Sequence, residues 1–178
     1  METCDVLADM SRNVEIKAKV RNLGDIVSKA KKLSNSEGTW IEQDDVFFTV
    51  PQGRLKLRTF QDKTAELIFY DRPDCDGPKL SKYEKCTLPD GSQIASVLSH
   101  ALGVKGRVKK NRQLFMVGQT RVHIDNVEDL GNFMELEVVL SEDQTLDEGQ
   151  VIAETLMADL GVEKEDLISG AYMDLLQK

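Results

Sequence analysis

Five segments of this chain put charged or amide side chains at every second position, and that period fits only strands whose two faces differ. In NVEIKAKV (13–20), Asn13, Glu15, Lys17 and Lys19 alternate with Val14, Ile16 and Ala18. In GRLKLR, Arg54, Lys56 and Arg58 oppose Leu55 and Leu57. Lys110 and Arg112 share a face in RVKKNRQLF. Arg121, His123 and Asp125 share one in TRVHID, and Glu135 and Glu137 share one in FMELEVVL. Like charges on one strand face lie about 7 Å apart. At an effective dielectric of about 20 each such pair costs roughly 2 kcal/mol, less when exposed and in salt. The row Arg54, Lys56, Arg58 therefore calls for an anion, and the pair Glu135 and Glu137 for a cation. Two arrangements satisfy this pattern: wet outer faces of a sheet, or the lining of a polar cavity that holds a polyanion and a hard divalent metal.

The remaining periodicity completes an α+β chain. Leu23, Ile26, Val27, Ala30 and Leu33 predict a helix over 22–33, broken by NSEG (35–38). Strand-like runs follow at 40–49, 53–60, 64–72 and 79–88, with a turn at PDCDGP (73–78). A second helix over 94–102 ends at Gly103. Three more strands, 104–117, 119–126 and 132–140, precede a helix from Leu146 to Leu160 and a short one at 171–176. Eight mostly antiparallel strands can close into a barrel able to hold a ligand. Trp40 is expected in the core, and Tyr83 and Tyr172 as packing residues. Residues 1–11 read as a tail and 12–178 as a single domain.

Charge narrows the partners. Residues 141–178 hold ten acidic and two basic side chains, while 1–140 hold 21 of each sign. A nucleic-acid binder would more often be net basic, and only Phe47–Phe48 approaches the aromatic interleaving of a single-strand binder. No apolar run reaches membrane-spanning length, and the first residues lack a secretory pattern. Three cysteines (Cys4, Cys75, Cys86), odd in number and without metal-like spacing, predict reduced thiols in a cytoplasmic protein.

Taken in order, NVEIKAKV, GRLKLR, KKNRQLFMVGQTRVHID, LGNFMELEV and SGAYMDLL resemble the CYTH family, the triphosphate tunnel metalloenzymes. FMVGQTRVHID and LGNF bring the chain nearest to the class IV adenylyl cyclase branch, with thiamine triphosphatases more distant. The resemblance implies an eight-stranded antiparallel β-barrel, a tunnel with helices outside, gripping a triphosphate with cations and Mg²⁺ or Mn²⁺ with carboxylates. The family opens on Glu-x-Glu-x-Lys; here Asn13 replaces the first glutamate, so one negative charge is lost.

The resemblance further implies roles. Lys17, Lys110 and Arg112 would be the catalytic cations. Glu15, Glu135, Glu137 and Asp125, with Asn13, would hold metal. Arg54, Lys56, Arg58, Arg72, Lys82, Glu84 and Arg121 would bind substrate, with Arg72 compensating for Asp71, where the family carries a lysine. His123 is expected as a hydrogen-bonded lining residue rather than a ligand. The implied activity is metal-dependent hydrolysis of inorganic triphosphate or a small organic triphosphate. Its alternatives are cyclisation of ATP to cyclic AMP and pyrophosphate, and binding of polyphosphate or nucleotide without turnover. The implied partner is a triphosphate-containing small molecule, not nucleic acid or membrane, and the protein is a monomer or homodimer.

Overall fold

A computed structural model describes residues 11–72 and 77–177. Most of the 1–11 tail, residues 73–76 of the 73–78 turn, Cys4 and Cys75 lie outside the described residues; Cys86 is a free, exposed thiol. Eight strands close an antiparallel barrel in the order β1-β5-β4-β3-β2-β6-β7-β8. They are β1 (Ser11–Lys19), β2 (Thr39–Phe48), β3 (Arg54–Phe60), β4 (Ala65–Asp71), β5 (Lys79–Leu88), β6 (Val104–Val117), β7 (Thr120–Val127) and β8 (Gly131–Val139). The helices are α1 (Leu23–Ser34), α2 (Ser92–Leu102), α3 (Leu146–Leu160) and α4 (Tyr172–Leu176). No helix among the described residues is long and apolar enough to cross a membrane.

Strands β1, β7 and β8 turn aliphatic rows outward and ionic rows inward, while Phe47, Ile68, Tyr70 and Val108 face the bore and pack with Phe133, Tyr172 and Met173. Val14, Ile16 and Ala18 of β1, Val122 and Ile124 of β7, and Met134, Leu136 and Val138 of β8 are buried outside the bore. There they meet Ile26 and Ala30 of α1 and Ala153, Leu156 and Leu160 of α3. On the opposite wall, Phe48 and Leu57 are buried beneath Ile94, Leu98 and Leu102 of α2. The helices thus supply the apolar burial that each strand's outer face needs.

Local signals set the helix limits. Asn22 caps α1 by accepting from the Asp25 amide at 3.1 Å, and Asn35 ends it in the left-handed conformation. Thr145 and Glu148 form a reciprocal capping box on α3. Trp40 corrects the sequence expectation. It sits on the outer face near the start of β2 and is 68% exposed.

The C-terminal segment belongs to the barrel. Leu167 bridges to Ala18, the Ile168 amide donates to the Lys17 carbonyl at 3.0 Å, and Arg72 donates to the Gly170 carbonyl at 3.0 Å. These contacts deliver Tyr172, at the first turn of α4, into the bore.

Helix α3 lies close against the barrel at Gly149. A Cβ added there would meet Val14 Cγ2 at 2.8 Å and Leu140 Cδ2 at 2.5 Å. Leu140 can swing aside, but Val14 is β-branched and fully buried. Gly149→Ala gains up to about 1 kcal/mol of helix propensity and loses about 1–3 kcal/mol to overpacking. The expected outcome is a net destabilisation, read as a lower urea midpoint at unchanged m-value.

Candidate functional site

The inward faces enclose a cavity of about 370 Å³. Eight cationic side chains line it (Lys17, Lys56, Arg58, Arg72, Lys85, Lys110, Arg112, Arg121) against five acidic ones (Glu15, Asp45, Glu66, Glu135, Glu137). Strand pairing fixes this set, because cross-strand partners share a face. Glu15 pairs with Glu137, which pairs with Arg121; Lys17 pairs with Glu135, which pairs with His123. Arg58 pairs with Asp45 on one side and Glu66 on the other, and Arg112 with Asp125.

One end of the lining is a cationic cradle around Asp45. Arg58 grips Asp45 through two bonds of 2.7 and 2.8 Å, Lys56 donates to it at 3.0 Å, and Lys110 stands 3.9 Å away. Burial alone would raise the Asp45 carboxyl, but Arg58, Lys56 and Lys110 together hold it well below the usual carboxylate range. Lys110 is pushed down to about 7, first by burial and then by Arg112 and Arg58, against the pull of Asp125 and Asp45.

A second group centres on Glu135. Lys17 lies 2.5 Å from it, and Arg112 bridges it to Asp125, which Arg112 holds bidentately at 2.7 and 2.6 Å. Lys17 and Arg112 outweigh burial and keep the Glu135 carboxyl well below its ordinary range. Tyr172 organises the floor of this group. Its hydroxyl donates to Asp125 at 3.1 Å, and its ring faces the Lys17 ammonium at 3.8 Å and that of Lys110 at 5.2 Å.

The third group is acidic. His123, Glu135 and Glu137 each bring a donor atom within 4.8 Å of the others. Glu15 lies alongside, held by Arg72 at 2.7 Å. Its pKa is nonetheless raised, first by burial and then by Glu137 and Glu135, in spite of Arg72. A cluster that resists ionising one more carboxylate fits a bound cation. The Asn13 Oδ1 is buried without a hydrogen-bond partner, and so is His123 Nδ1. Burial, then Arg112, lowers the His123 pKa, which leaves the ring neutral at physiological pH.

Several expected site residues stand elsewhere. Lys82 and Glu84 are exposed on the outer face of β5, whose inward residues are Ser81, Tyr83 and Lys85. The β1 register decides this by pairing Ser81 with Asn13. Arg54 lies beyond the main lining and binds Asp174 at 3.0 Å. Asp125 is inward but committed to Arg112 and Tyr172, so its oxygens are not turned to the acidic group. Arg72 does point inward, whereas Asp71 is exposed. His123 lines the bore without the hydrogen bond expected for Nδ1. Tyr172 lines the bore as well as packing against Phe133. Sequence reasoning missed Asp45, Glu66 and Lys85; Asp45 was legible only as the charged member of a mixed face with Ile41, Gln43 and Phe47.

The family model for the CYTH domain matches residues 11–172. The chain belongs to the CYTH family. An adenylate cyclase of Aeromonas hydrophila is 24% identical over 146 residues, covering 77% of this chain and 73% of the relative. A protein of Pyrococcus horikoshii superposes with a TM-score of 0.81 at 24% identity, over 92% of this chain and 98% of the other. A Hippeastrum protein described as a proposed adenylyl cyclase with a dominant triphosphatase activity has a TM-score of 0.60 at 14% identity, over 84% of this chain and 88% of the other. The two structural likenesses establish the shared fold. The proteins this chain resembles include one named as an adenylate cyclase and one described as having triphosphatase activity.

The Asp45 cradle makes a prediction for the free CYTH protein. Asp45→Asn strands Lys56, Arg58 and Lys110 without their shared counter-charge, and removing one partner of a buried ion pair typically costs about 3–5 kcal/mol. The melting temperature is expected to fall, and high sulfate, offering an anion to the same cations, is expected to restore part of it.

Proposed function

We propose that this CYTH protein is a metal-dependent phosphohydrolase of inorganic triphosphate or a small organic triphosphate. One observation carries the reading: a walled bore lined by eight cationic side chains against five acidic ones, six with the buried Asp125, and with Glu15, Glu135 and Glu137 gathered on one flank. An excess of cations in such a bore favours a polyanion, and several neighbouring cations match the oxygens of a chain of phosphates.

Lys56, Arg58 and Lys110 would take the oxygens of one phosphate, with Asp45 keeping the two lysines and the arginine aligned until the ligand arrives. Lys17 and Arg112 would take those of the phosphate beside the acidic flank. Glu135 holds both by charge, so their ammonium and guanidinium groups are in place before binding and need little reorganisation. The residues fit a hard divalent ion, Mg²⁺ or Mn²⁺: Glu135 and Glu137 would hold it, with Glu15 near and the neutral oxygen of Asn13 on the same lining. When bound, the ion supplies charge that offsets the build-up on the phosphate oxygens. The protein's own cations then neutralise the leaving phosphate. A water as nucleophile gives the hydrolase; the 3′-hydroxyl of ATP as nucleophile gives cyclic AMP and pyrophosphate, the reading favoured by the Aeromonas relative.

Incubation with Mg²⁺ or Mn²⁺ and inorganic triphosphate, thiamine triphosphate or ATP separates these readings. Phosphate release supports the hydrolase, cyclic AMP the cyclase, and calorimetric binding without product a non-catalytic binder. Glu135→Gln is expected to lower metal-dependent turnover at least tenfold; unchanged turnover would remove Glu135 from the site.

Lys110 gives the reading a pH signature. In the free protein its ammonium loses a proton near pH 7, while a polyanion against it favours the charged form. Binding above that pH therefore takes up a proton, and affinity falls as pH rises. Calorimetry of inorganic triphosphate at pH 8, in buffers of different ionisation enthalpy, should show more proton uptake for the wild type than for Lys110→Arg.

A further inference from the structure

Of the carboxylates expected to hold metal, Glu135 and Glu137 converge, and Glu135 is also paired with Lys17 and Arg112. Asp125 is tied to Arg112 and Tyr172, Glu15 is drawn to Arg72, and Asn13 carries no charge. What does converge on Glu135 and Glu137 is an imidazole. We propose that His123 Nδ1 is a direct metal ligand, so that the cation of this bore sits in a mixed nitrogen and oxygen site with Glu135 and Glu137.

The geometry is independent of any charge argument. His123 Nδ1 lies 3.8 Å from Glu135 Oε2 and 3.7 Å from Glu137 Oε1. Both distances exceed a hydrogen bond. Two ligands roughly 2.1 Å from one ion and this far apart would subtend about 125°, wider than the tetrahedral angle, so the side chains would close by a few tenths of an ångström on a bound ion. The ring is 3% exposed and its Nδ1 has no hydrogen-bond partner. A buried imidazole nitrogen without a partner costs stability unless something occupies it. Strand register holds the ring there: His123 is the cross-strand partner of Glu135 on one side and of Leu114 on the other. Glu137 turns its other oxygen to Arg121 at 2.8 Å, which fixes Oε1 toward the ring.

The donor set predicts the preference. Carboxylates alone suit Mg²⁺, whereas an imidazole shifts a site toward Mn²⁺ and later first-row ions. The protein should therefore bind Mn²⁺ more tightly than Mg²⁺, and His123→Gln should weaken Mn²⁺ binding about tenfold or more while changing Mg²⁺ binding less.

The inference rests on the reading that the bore binds a divalent cation, and not on which reaction follows. The chain has two histidines, His100 and His123, and His100 is exposed on α2. Untagged protein is loaded with Mn²⁺, without substrate, and its pulsed electron spin-echo modulation recorded. Directly bound imidazole nitrogen-14 is expected in the wild type and in His100→Gln, and not in His123→Gln. Histidine labelled with nitrogen-15 in the wild type should convert the signal, which keeps the test decisive if His123→Gln fails to fold. Bound Mn²⁺ without nitrogen modulation overturns the ligand assignment and leaves the metal-dependent reading intact. Failure to bind Mn²⁺ at all overturns both.

Discussion

A closed bore that carries more cations than carboxylates is the constraint on which this structure depends. Desolvating one unpaired charge costs several kcal/mol, so the lining is built from shared counter-ions. Asp45 serves Arg58, Lys56 and Lys110, and Glu135 serves Lys17 and Arg112. Each carboxylate is thereby placed where a ligand must compete with it or join it. The apolar work of folding is moved outward, to the seams where α1, α2 and α3 cover the barrel wall. Most of the apolar burial lies at those seams, so the ionic rows can occupy the bore beside the smaller apolar cluster around Phe47, Tyr70 and Tyr172.

Much of this was legible in the sequence, for a simple physical reason. Where one face of a strand is aliphatic and the other ionic, as in β1, β3, β7 and β8, alternation states which residues share a surface. It does not state whether that surface is wet exterior or lining; similarity to a known family supplied that, and the closed topology bears it out. The reading failed where alternation is weak. KLSKYEKCTL is polar on both faces, so nothing local says whether Lys82 and Glu84 or Ser81 and Lys85 turn inward; the pairing with β1 does.

Long-range placement was the other gap. Trp40, the largest aromatic side chain, looks like core by composition, but it sits at a strand end that no helix covers. Tyr172 looks like packing, yet the docking of the segment before it carries its ring between two lysines. His123 differs from a hydrogen-bonded lining residue only in what faces its Nδ1, and that is a matter of three strands at once.

β1 has a consequence for how such a chain reaches its native state. Strands β2 to β5 form one meander and β6 to β8 another, each zipped by neighbours in sequence, and β2 joins them along one edge. Only β1, paired with β5 and β8, seals the second edge, and its pairing with β8 joins the strands farthest apart in sequence. Contacts that distant form late and slowly. Since β1 also brings Glu15 and Lys17, an unsealed intermediate would expose half-neutralised rows of charge beside the apolar side chains of the bore, and repulsion between like rows on two copies would oppose their association while the edge is open.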